Sequence, residues 1–507
     1  MSAALHLSRV LRRVPMEPLI AVVGATGTGK SKLAVDLARH FNGEIINGDA
    51  MQLYRGLPII TNQIPVAERH GIPHHLISSI DLDQEPWRVT RFKQETLKVV
   101  DEIRSRGKLP ILVGGTNYYI QAVLFHGMLV GDEDAARRES SDPSQDGSEK
   151  YAILNASGEE MLQRLREVDP EMAERWHPNE IRKIRRSLEI YLQTGRRASD
   201  IYKEQRETMM MTQRPGNRGS SEDGATDTPD EGSRGGTQPG AGQMRFPTLI
   251  FWTHTEKEAL RTRLDNRVDG MVDSGLVQEA QSLFDYLEKK QAQGIEVDRT
   301  RGVWVSIGFK ELEPYIRAQS QGNASTENLG KLKDECVAAV KSATRRYAKY
   351  QLKWIHTQFW TALATAGMTH RLYVVDTTEP SAWDRAVFEP ARTVTEAFLS
   401  GQECPRAKDL SPTAHAVLTE REDAQRQKEN EVIQIRKCDV CKVTVRTRDM
   451  WDRHVRSRGH KKALQGVAKR AQFEEYKKRM AAKLEADKAV GGGACPEDCR
   501  SETSMSS

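Results

Sequence analysis

The sequence predicts an α/β fold: a parallel sheet covered by helices on both faces, with a helical subdomain inserted into it and a small basic module appended. Three observations predict it. Between residues 18 and 128 short apolar runs alternate with amphipathic stretches, the pattern of successive βα units. Residues 150–205 then read as helix only, before RFPTLIFW (245–252) and LYVVD (372–376) return to the strand pattern. Near the end, CDVCKVTVRTRDMWDRHVRSRGH (438–460) places two cysteines and two histidines at the spacing C-x2-C-x12-H-x5-H.

Taken in order, PLIAVV is a strand and KSKLAVDLARHF a helix, with Leu33, Leu37 and Phe41 four residues apart. EIIN is the next strand, RFKQETLKVVDEIRSRG a helix stopped by Gly107, and KLPILVGG another strand. Residues 131–149 are polar and read as a loop. Residues 206–243, centred on RPGNRGSSEDGATDTPDEGSRGGTQPGAG, are low-complexity and expected to be disordered. The expected division is a targeting-like segment over 1–15 and a core in two parts, 16–130 and 244–402. A helical insertion spans 131–243, with disordered loops at 132–149 and 206–243. A linker (403–435), a finger (436–470) and a basic helix with a disordered tail (471–507) complete the chain.

A chain of 507 residues can hold two to four domains, and its net charge of +5 is small enough that charge informs only where it is concentrated. Six cysteines, sparse and irregular, argue against a disulfide framework and fit a reducing compartment. No run approaches the ~20 apolar residues of a membrane span, so a soluble protein with no membrane partner is expected. The first fifteen residues carry Arg9, Arg12 and Arg13 and no acid, with Leu7, Val10, Leu11 and Val14 at helical spacing. That is the pattern of a mitochondrial presequence, and Met16 offers a second start that would leave it out. The alternative is a basic terminus that frays. Cytoplasm and mitochondrion are both expected compartments, with the nucleus a further one.

GATGTGKS (24–31) fits G-x-x-x-x-G-K-[ST] between a strand and a helix, which makes the core P-loop NTPase-like. Its glycines let backbone N–H groups turn around phosphate oxygens at a helix N-terminus. The candidate phosphate-binding residues are Gly24, Thr26, Gly27, Thr28, Gly29, Lys30 and Ser31. Lys30 would neutralise the terminal phosphate and Ser31 could ligand Mg²⁺. The loop recognises a phosphate chain and is silent about what the chain is attached to. Asp49, just past the strand EIIN, falls where doubly wound sheets place their ligands. It could bind Mg²⁺, act as a general base, or simply cap a turn.

GATGTGKSKLA, NGDAMQLYRGLPIITNQ, IPHHLI and PILVGGTNYYIQAVL resemble the tRNA dimethylallyltransferases (tRNA isopentenyltransferases) in order and spacing. The likeness continues through RKIRRSLEIYLQTGR, LRTRLDNRVDGMVDSGLVQEA, GVWVSIGFKEL and ATRRYAKYQLKWI, over roughly residues 18–400. It implies that the loop cradles dimethylallyl diphosphate with Mg²⁺, and that N6 of an adenosine beside the anticodon attacks C1 of the prenyl group. Asp49 matches the family's general base, and Thr116 a threonine near the reaction centre whose other reading is a helix N-cap. Arg263 and Arg267, four apart on one helical face, are candidates to reach the diphosphate or else to form a solvated basic face. Two departures stand out. Ala50 replaces the usual serine after the aspartate, and neither Arg137 nor Arg138 can be aligned with a family arginine.

The inserted helix carries Arg182, Lys183, Arg185 and Arg186 around an apolar side of Ile181, Ile184, Leu188 and Tyr191. The helix over 335–354 sets Lys341, Arg345, Lys349 and Lys353 at four-residue steps opposite Val337, Val340, Tyr347 and Trp354. Each is an expected phosphate-backbone surface for tRNA, against the plainer reading of a solvated face. Met51, Gln52 and Tyr54 are candidates for holding a flipped adenine. Cys438, Cys441, His454 and His460 are expected to bind structural Zn²⁺ in a ββα finger, made basic by Arg446, Arg448, Arg453, Arg456, Arg458, Lys461 and Lys462. Eukaryotic members of the family carry such a finger. The expected protein is a monomer. The competing readings are an adenylate isopentenyltransferase acting on free nucleotides, a P-loop kinase or NTPase acting with RNA, and a non-catalytic RNA-binding factor.

Overall fold

The computed structural model describes residues 17–128, 151–176, 178–211, 242–322, 325–430, 434–441, 443–445 and 447–490. The presequence-like segment, Arg137 and Arg138, the centre of the low-complexity stretch and the tail cysteines Cys495 and Cys499 lie outside the described residues. Six strands form one parallel sheet: β1 (Leu19–Gly24), β2 (Gly43–Asn47), β3 (His74–His75), β4 (Leu109–Val113), β5 (Thr248–His254) and β6 (Leu372–Asp376). Their order is β3-β2-β4-β1-β5-β6, with Ile20 opposite Ile111 on one side and Leu249 on the other. The chain winds to one side of β1 through β2 and β4 and to the other through β5 and β6. The carboxyl end of β1 therefore lies at the switch point, where such sheets bind ligands.

β1 reads as unbroken apolar sequence because both its faces are covered. Leu19, Ala21 and Val23 point into one cluster, with Phe92, Val100, Val123 and Trp252, while Ile20 and Val22 point into another, with Leu33, Leu37, Val394 and Phe398. The first layer belongs to helices Val89–Ser105 and Asn117–Leu124, the second to Lys30–His40 and Glu389–Ser400.

Two expectations fail here. The stretch 403–435, expected to be a linker, contains the helix Pro412–Glu429, whose Ala414 and Leu418 are buried in the first cluster. Thr413 anchors its start by donating to Asp376 Oδ2 (2.6 Å). Its apolar stripe is only Ala414, Val417 and Leu418, too narrow to stand out among charges. The expected disorder over 206–243 also begins too early and ends too late. The helix Ala198–Met211 runs into it, and residues 242–245 pair with 124–126, including His126 N–H to Gln243 O (2.9 Å).

A second compact unit is formed by residues 146–199 and 427–507. Its helix Gly158–Val168 opens with a capping box between Ser157 and Glu160 and packs Met161, Leu162 and Leu165 inward. It meets helix Ile181–Thr194, which buries Ile184, Leu188 and Ile190 and ends at Gly195 in the left-handed conformation (φ 70°). A hairpin of β7 (Arg436–Lys437) and β8 (Thr444–Val445) precedes helices Arg448–Arg456 and Arg458–Val490. Lys437 reaches Glu174 of the insertion at 3.2 Å.

Candidate active site

The phosphate loop turns from β1 into helix Lys30–His40. Gly29 begins that helix at φ 80°, and a Cβ there would meet the Trp383 ring at 2.7 Å, so glycine is required on both counts. Thr26, Gly27, Gly29, Lys30 and Ser31 line a cavity of about 620 Å³. Thr28 does not. It is 1% exposed and hydrogen-bonds Ala25 O (2.8 Å) and Thr253 Oγ1 (2.6 Å), pinning the loop to β5 from below. Gly24 likewise ends the strand against Thr253 and does not face the cavity.

Lys30 donates to Ala25 O (2.7 Å). Burial lowers its pKa to about 8; the charge of Asp49 opposes this shift and that of Arg267 adds to it. The two arginines on helix Lys257–Asp273 separate. Arg263 donates to the carbonyls of Gly27 (3.3 Å), Thr377 (2.9 Å) and Thr378 (3.2 Å), so it braces the loop from behind. Arg267 lines the cavity, and burial lowers its pKa to about 10.

Asp49 enters the same cavity from the end of β2. Asn47 holds its backbone, accepting the Asp49 N–H (2.9 Å) and donating to Asp49 O (3.0 Å) and Leu76 O (2.7 Å). Burial raises the Asp49 carboxyl above the usual range, against hydrogen bonds from Met51, Gln52 and Gly115 N–H groups and the Lys30 charge. The two glycines of VGGT are needed for close approach. A Cβ on Gly114 would lie 2.2 Å from the Gly48 carbonyl carbon, and one on Gly115 would lie 2.9 Å from Asp49 Oδ2. Thr116 stands at the N-cap of helix Asn117–Leu124 but makes no side-chain cap bond; its Oγ1 accepts the Ala50 N–H (3.0 Å) instead.

Met51 and Gln52 line the cavity. Tyr54 does not, which corrects its expected place: it is 2% exposed, packed in the cluster of Leu283, Trp304 and Phe309 beside Gly302. The aromatic rings at the cavity are Tyr118, Tyr347, Tyr350 and Trp354. Tyr118 and Tyr350 are 43% and 58% exposed and flank Trp354 at centroid distances of 5.9 and 6.4 Å. Sequence reasoning missed this group, although Tyr347, Tyr350, Gln351 and Trp354 recur at three- and four-residue spacing on one helical face.

The basic side of helix Thr326–Trp354 is also redistributed. Lys341 pairs with Asp269 (2.6 Å) and Arg345 with Asp265, so both stitch this helix to Lys257–Asp273 and are not free for phosphate, whereas Lys349 is exposed. On the insertion helix Arg182, Lys183 and Arg186 are exposed and Arg185 is half-buried. Lys183 pairs with Glu180 and lies 4.7 Å over Trp176, and Arg186 pairs with Glu189 (3.2 Å).

At the finger, Cys438 and Cys441 Sγ, His454 Nε2 and His460 Nδ1 all fall within 4.8 Å of one another. Two sulfurs and two imidazole nitrogens converging in this way could hold Zn²⁺. The five-residue gap between the histidines is accommodated by a helix break: Ser457 is extended (φ −66°, ψ 148°), and His460 comes from the next helix. The finger's helix is thus two helices.

Fold and site define a class: a doubly wound α/β protein whose glycine-rich loop and buried carboxylate face one cavity. A family model described as IPP transferase matches residues 52–358. The tRNA dimethylallyltransferase of Schizosaccharomyces pombe is 35% identical over 470 residues, covering 90% of this chain and 97% of that one. The Homo sapiens tRNA dimethylallyltransferase is 31% identical over 87% of this chain and 85% of its own length. A solved structure of a eukaryotic dimethylallyltransferase acting on tRNA superposes with a TM-score of 0.67 at 31% identity, over 91% of this chain and 99% of that one. The chain belongs to the IPP transferase family.

Proposed function

We propose that this protein transfers the dimethylallyl group from dimethylallyl diphosphate to N6 of adenosine 37 in tRNA anticodon loops and releases diphosphate. The observation that carries the reading is Asp49 facing Lys30 across one cavity, in a chain whose relatives are tRNA dimethylallyltransferases. An aryl amine is a weak nucleophile, so a carboxylate within reach of its N–H assists the attack. The N6–C1 bond forms as the C1–O bond breaks, the N6 proton passes to Asp49, and the electron pair leaves with the diphosphate. Loop N–H groups, Lys30 and Arg267 stabilise that developing charge. Mg²⁺, when bound, adds charge to the same end. The Ser31 hydroxyl, which lines the cavity next to Lys30, would hold it.

Met51, Gln52 and the rings of Tyr118, Tyr350 and Trp354 would receive the flipped adenine. Arg182, Lys183, Arg186 and Lys349 would contact tRNA phosphates, and Zn²⁺ at the four convergent ligands would fold the finger. The monomer is its expected working form. No helix among the described residues is long and apolar enough to cross a membrane. Dual placement in cytoplasm and mitochondria rests on residues 1–15, and a reporter fused to 1–16 that stayed out of mitochondria would remove it.

Labelled dimethylallyl diphosphate, incubated with the protein and unmodified tRNA, should pass its label into RNA. Label entering AMP and not tRNA would favour the free-nucleotide enzyme. ATP hydrolysis without transfer would favour a kinase or NTPase.

A further inference from the structure

The sheet order gives the phosphate loop two sides. β1 lies between β4, which leads to β2 and Asp49, and β5, which leads to β6. Ligands of doubly wound sheets lie outside the carboxyl ends of the strands, so a diphosphate on the loop could send its organic group over either half. Over the β2 and β4 half lies the cavity of Asp49 and Thr116. The other half is closed. Among the described residues, those of the loops after β5 and β6 stay out of the cavity lining and bond to each other. Thr255 Oγ1 and Thr377 Oγ1 share a hydrogen bond (2.6 Å), and the Glu256 N–H donates to Thr378 Oγ1 (3.0 Å). Arg263 fastens this seam to the phosphate loop through the carbonyls of Gly27, Thr377 and Thr378. Trp383 fills the place beside Gly29, its ring lying where a Gly29 Cβ would stand. Its Nε1 donates to Asp36 Oδ2 (2.8 Å), and Lys32 Nζ sits 4.4 Å from the ring centroid.

We infer that Trp383 is a specificity-determining residue that keeps nucleoside di- and triphosphates off the loop. The inference rests on the transfer reading above for what the loop takes instead. In a nucleotide-binding P-loop the backbone N–H groups cradle the α- and β-phosphates while the lysine reaches the β- and γ-phosphates. Lys30 faces Asp49, so a nucleotide held that way has its terminal phosphates toward the cavity and its nucleoside over Lys32, where the indole stands. A prenyl diphosphate carries its only organic group toward Asp49 and ends in a free phosphate, so it needs no room there. The loop motif is kept, and its nucleoside side is filled.

The test is calorimetric binding of ADP and of inorganic diphosphate, each with Mg²⁺, to the whole chain and to its Trp383→Ala variant. The wild type should bind ADP no more tightly than diphosphate, because the adenosine finds no surface on which to pack. The variant should gain about 10-fold for ADP relative to diphosphate, a factor that needs only about 55 Å² of apolar nucleoside surface to be buried. Trp383→Phe keeps a ring against Gly29 and should keep the wild-type ratio. Trp383→Leu also removes the reach of the indole and should shift the ratio the same way; it serves if the alanine variant folds poorly. An unchanged ratio in the alanine or leucine variant, with both ligands weakened alike, would mean that the ring only props the loop, and it overturns the inference. So does a wild type that already binds ADP more tightly than diphosphate. A wild-type chain that shows the expected ratios but transfers nothing to tRNA overturns the proposed function instead.

Discussion

Lys30 and Asp49 are pushed by burial in opposite directions on the pH scale, and both shifts favour the uncharged form. The proposed mechanism requires both charged, the carboxylate to take a proton and the ammonium to hold the diphosphate. For the free enzyme, kcat/KM for dimethylallyl diphosphate should therefore rise as pH climbs through the raised Asp49 pKa. It should fall as pH passes about 8 and Lys30 loses its proton. A profile flat across pH 8 to 9 would detach Lys30 from binding. Asp49→Asn should lower transfer by about 10³-fold, within the range of general-base loss, with the tRNA dissociation constant nearly unchanged. A fully active variant would rule out the base. The neighbouring arginines divide differently. Arg267→Gln should raise KM for the diphosphate about 10-fold through loss of one charged hydrogen bond, with little change in melting temperature. Arg263→Gln removes the brace on Gly27 and should appear first as a lower melting temperature.

At the scale of elements, Glu44 shows how the sheet edge is held. Its side chain is 3% exposed at the start of β2, and it meets His75 of β3 (2.6 Å), Arg106 (2.6 Å) and Lys108 (2.8 Å) before β4. Burial opposes its ionisation, but hydrogen bonds from Arg106, Lys108 and His75 prevail and hold its pKa at about 2. A depressed carboxyl stabilises the fold above its unfolded pKa, near 4.5, and that stability drains as pH falls toward 2. Glu44→Gln should thus cost about 2 kcal/mol at pH 7, below the 3–5 kcal/mol of a fully buried pair because the cations are partly solvated. The gap between variant and wild type should close in melts near pH 2, and a gap independent of pH would deny the ion cluster its role. Elements also mark where sequence reading stopped. β1, β2 and β4 were legible because they are apolar on both faces, and the loop because its glycines follow a strand. Lys341 and Arg345 were not, because a four-residue step reports which side of a helix a residue is on and not that Asp265 and Asp269 stand opposite. Tyr54 was misplaced for a similar reason: adjacency to Asp49 in sequence says nothing of its turn into the cluster around Trp304.

For the whole molecule, the chain returns after the sheet to complete a unit that it began before β5. Residues 146–199 and 427–507 belong together, and Lys437 of the finger hairpin meets Glu174 of the insertion. The two parts of this unit differ in what holds them. The insertion buries Met161, Leu162, Leu165, Ile184 and Leu188, an apolar core of its own. Among its described residues the finger has few buried apolar side chains, chiefly Val445 beside Cys438, so the proposed Zn²⁺ would supply its folding free energy. Cys438→Ser, or a chelator, should therefore unfold the finger while the melting transition of the sheet unit stays in place. If Arg448, Arg453, Arg456 and Arg458 contact RNA, tRNA affinity should drop with the finger. The plot of log affinity against log salt should also become shallower, by about one unit for each phosphate that the finger no longer neutralises. A loss of affinity at unchanged slope would mean that the finger acts by shaping the insertion. An unchanged dissociation constant would leave tRNA holding to Arg182, Lys183 and Arg186 and make the finger a structural appendage.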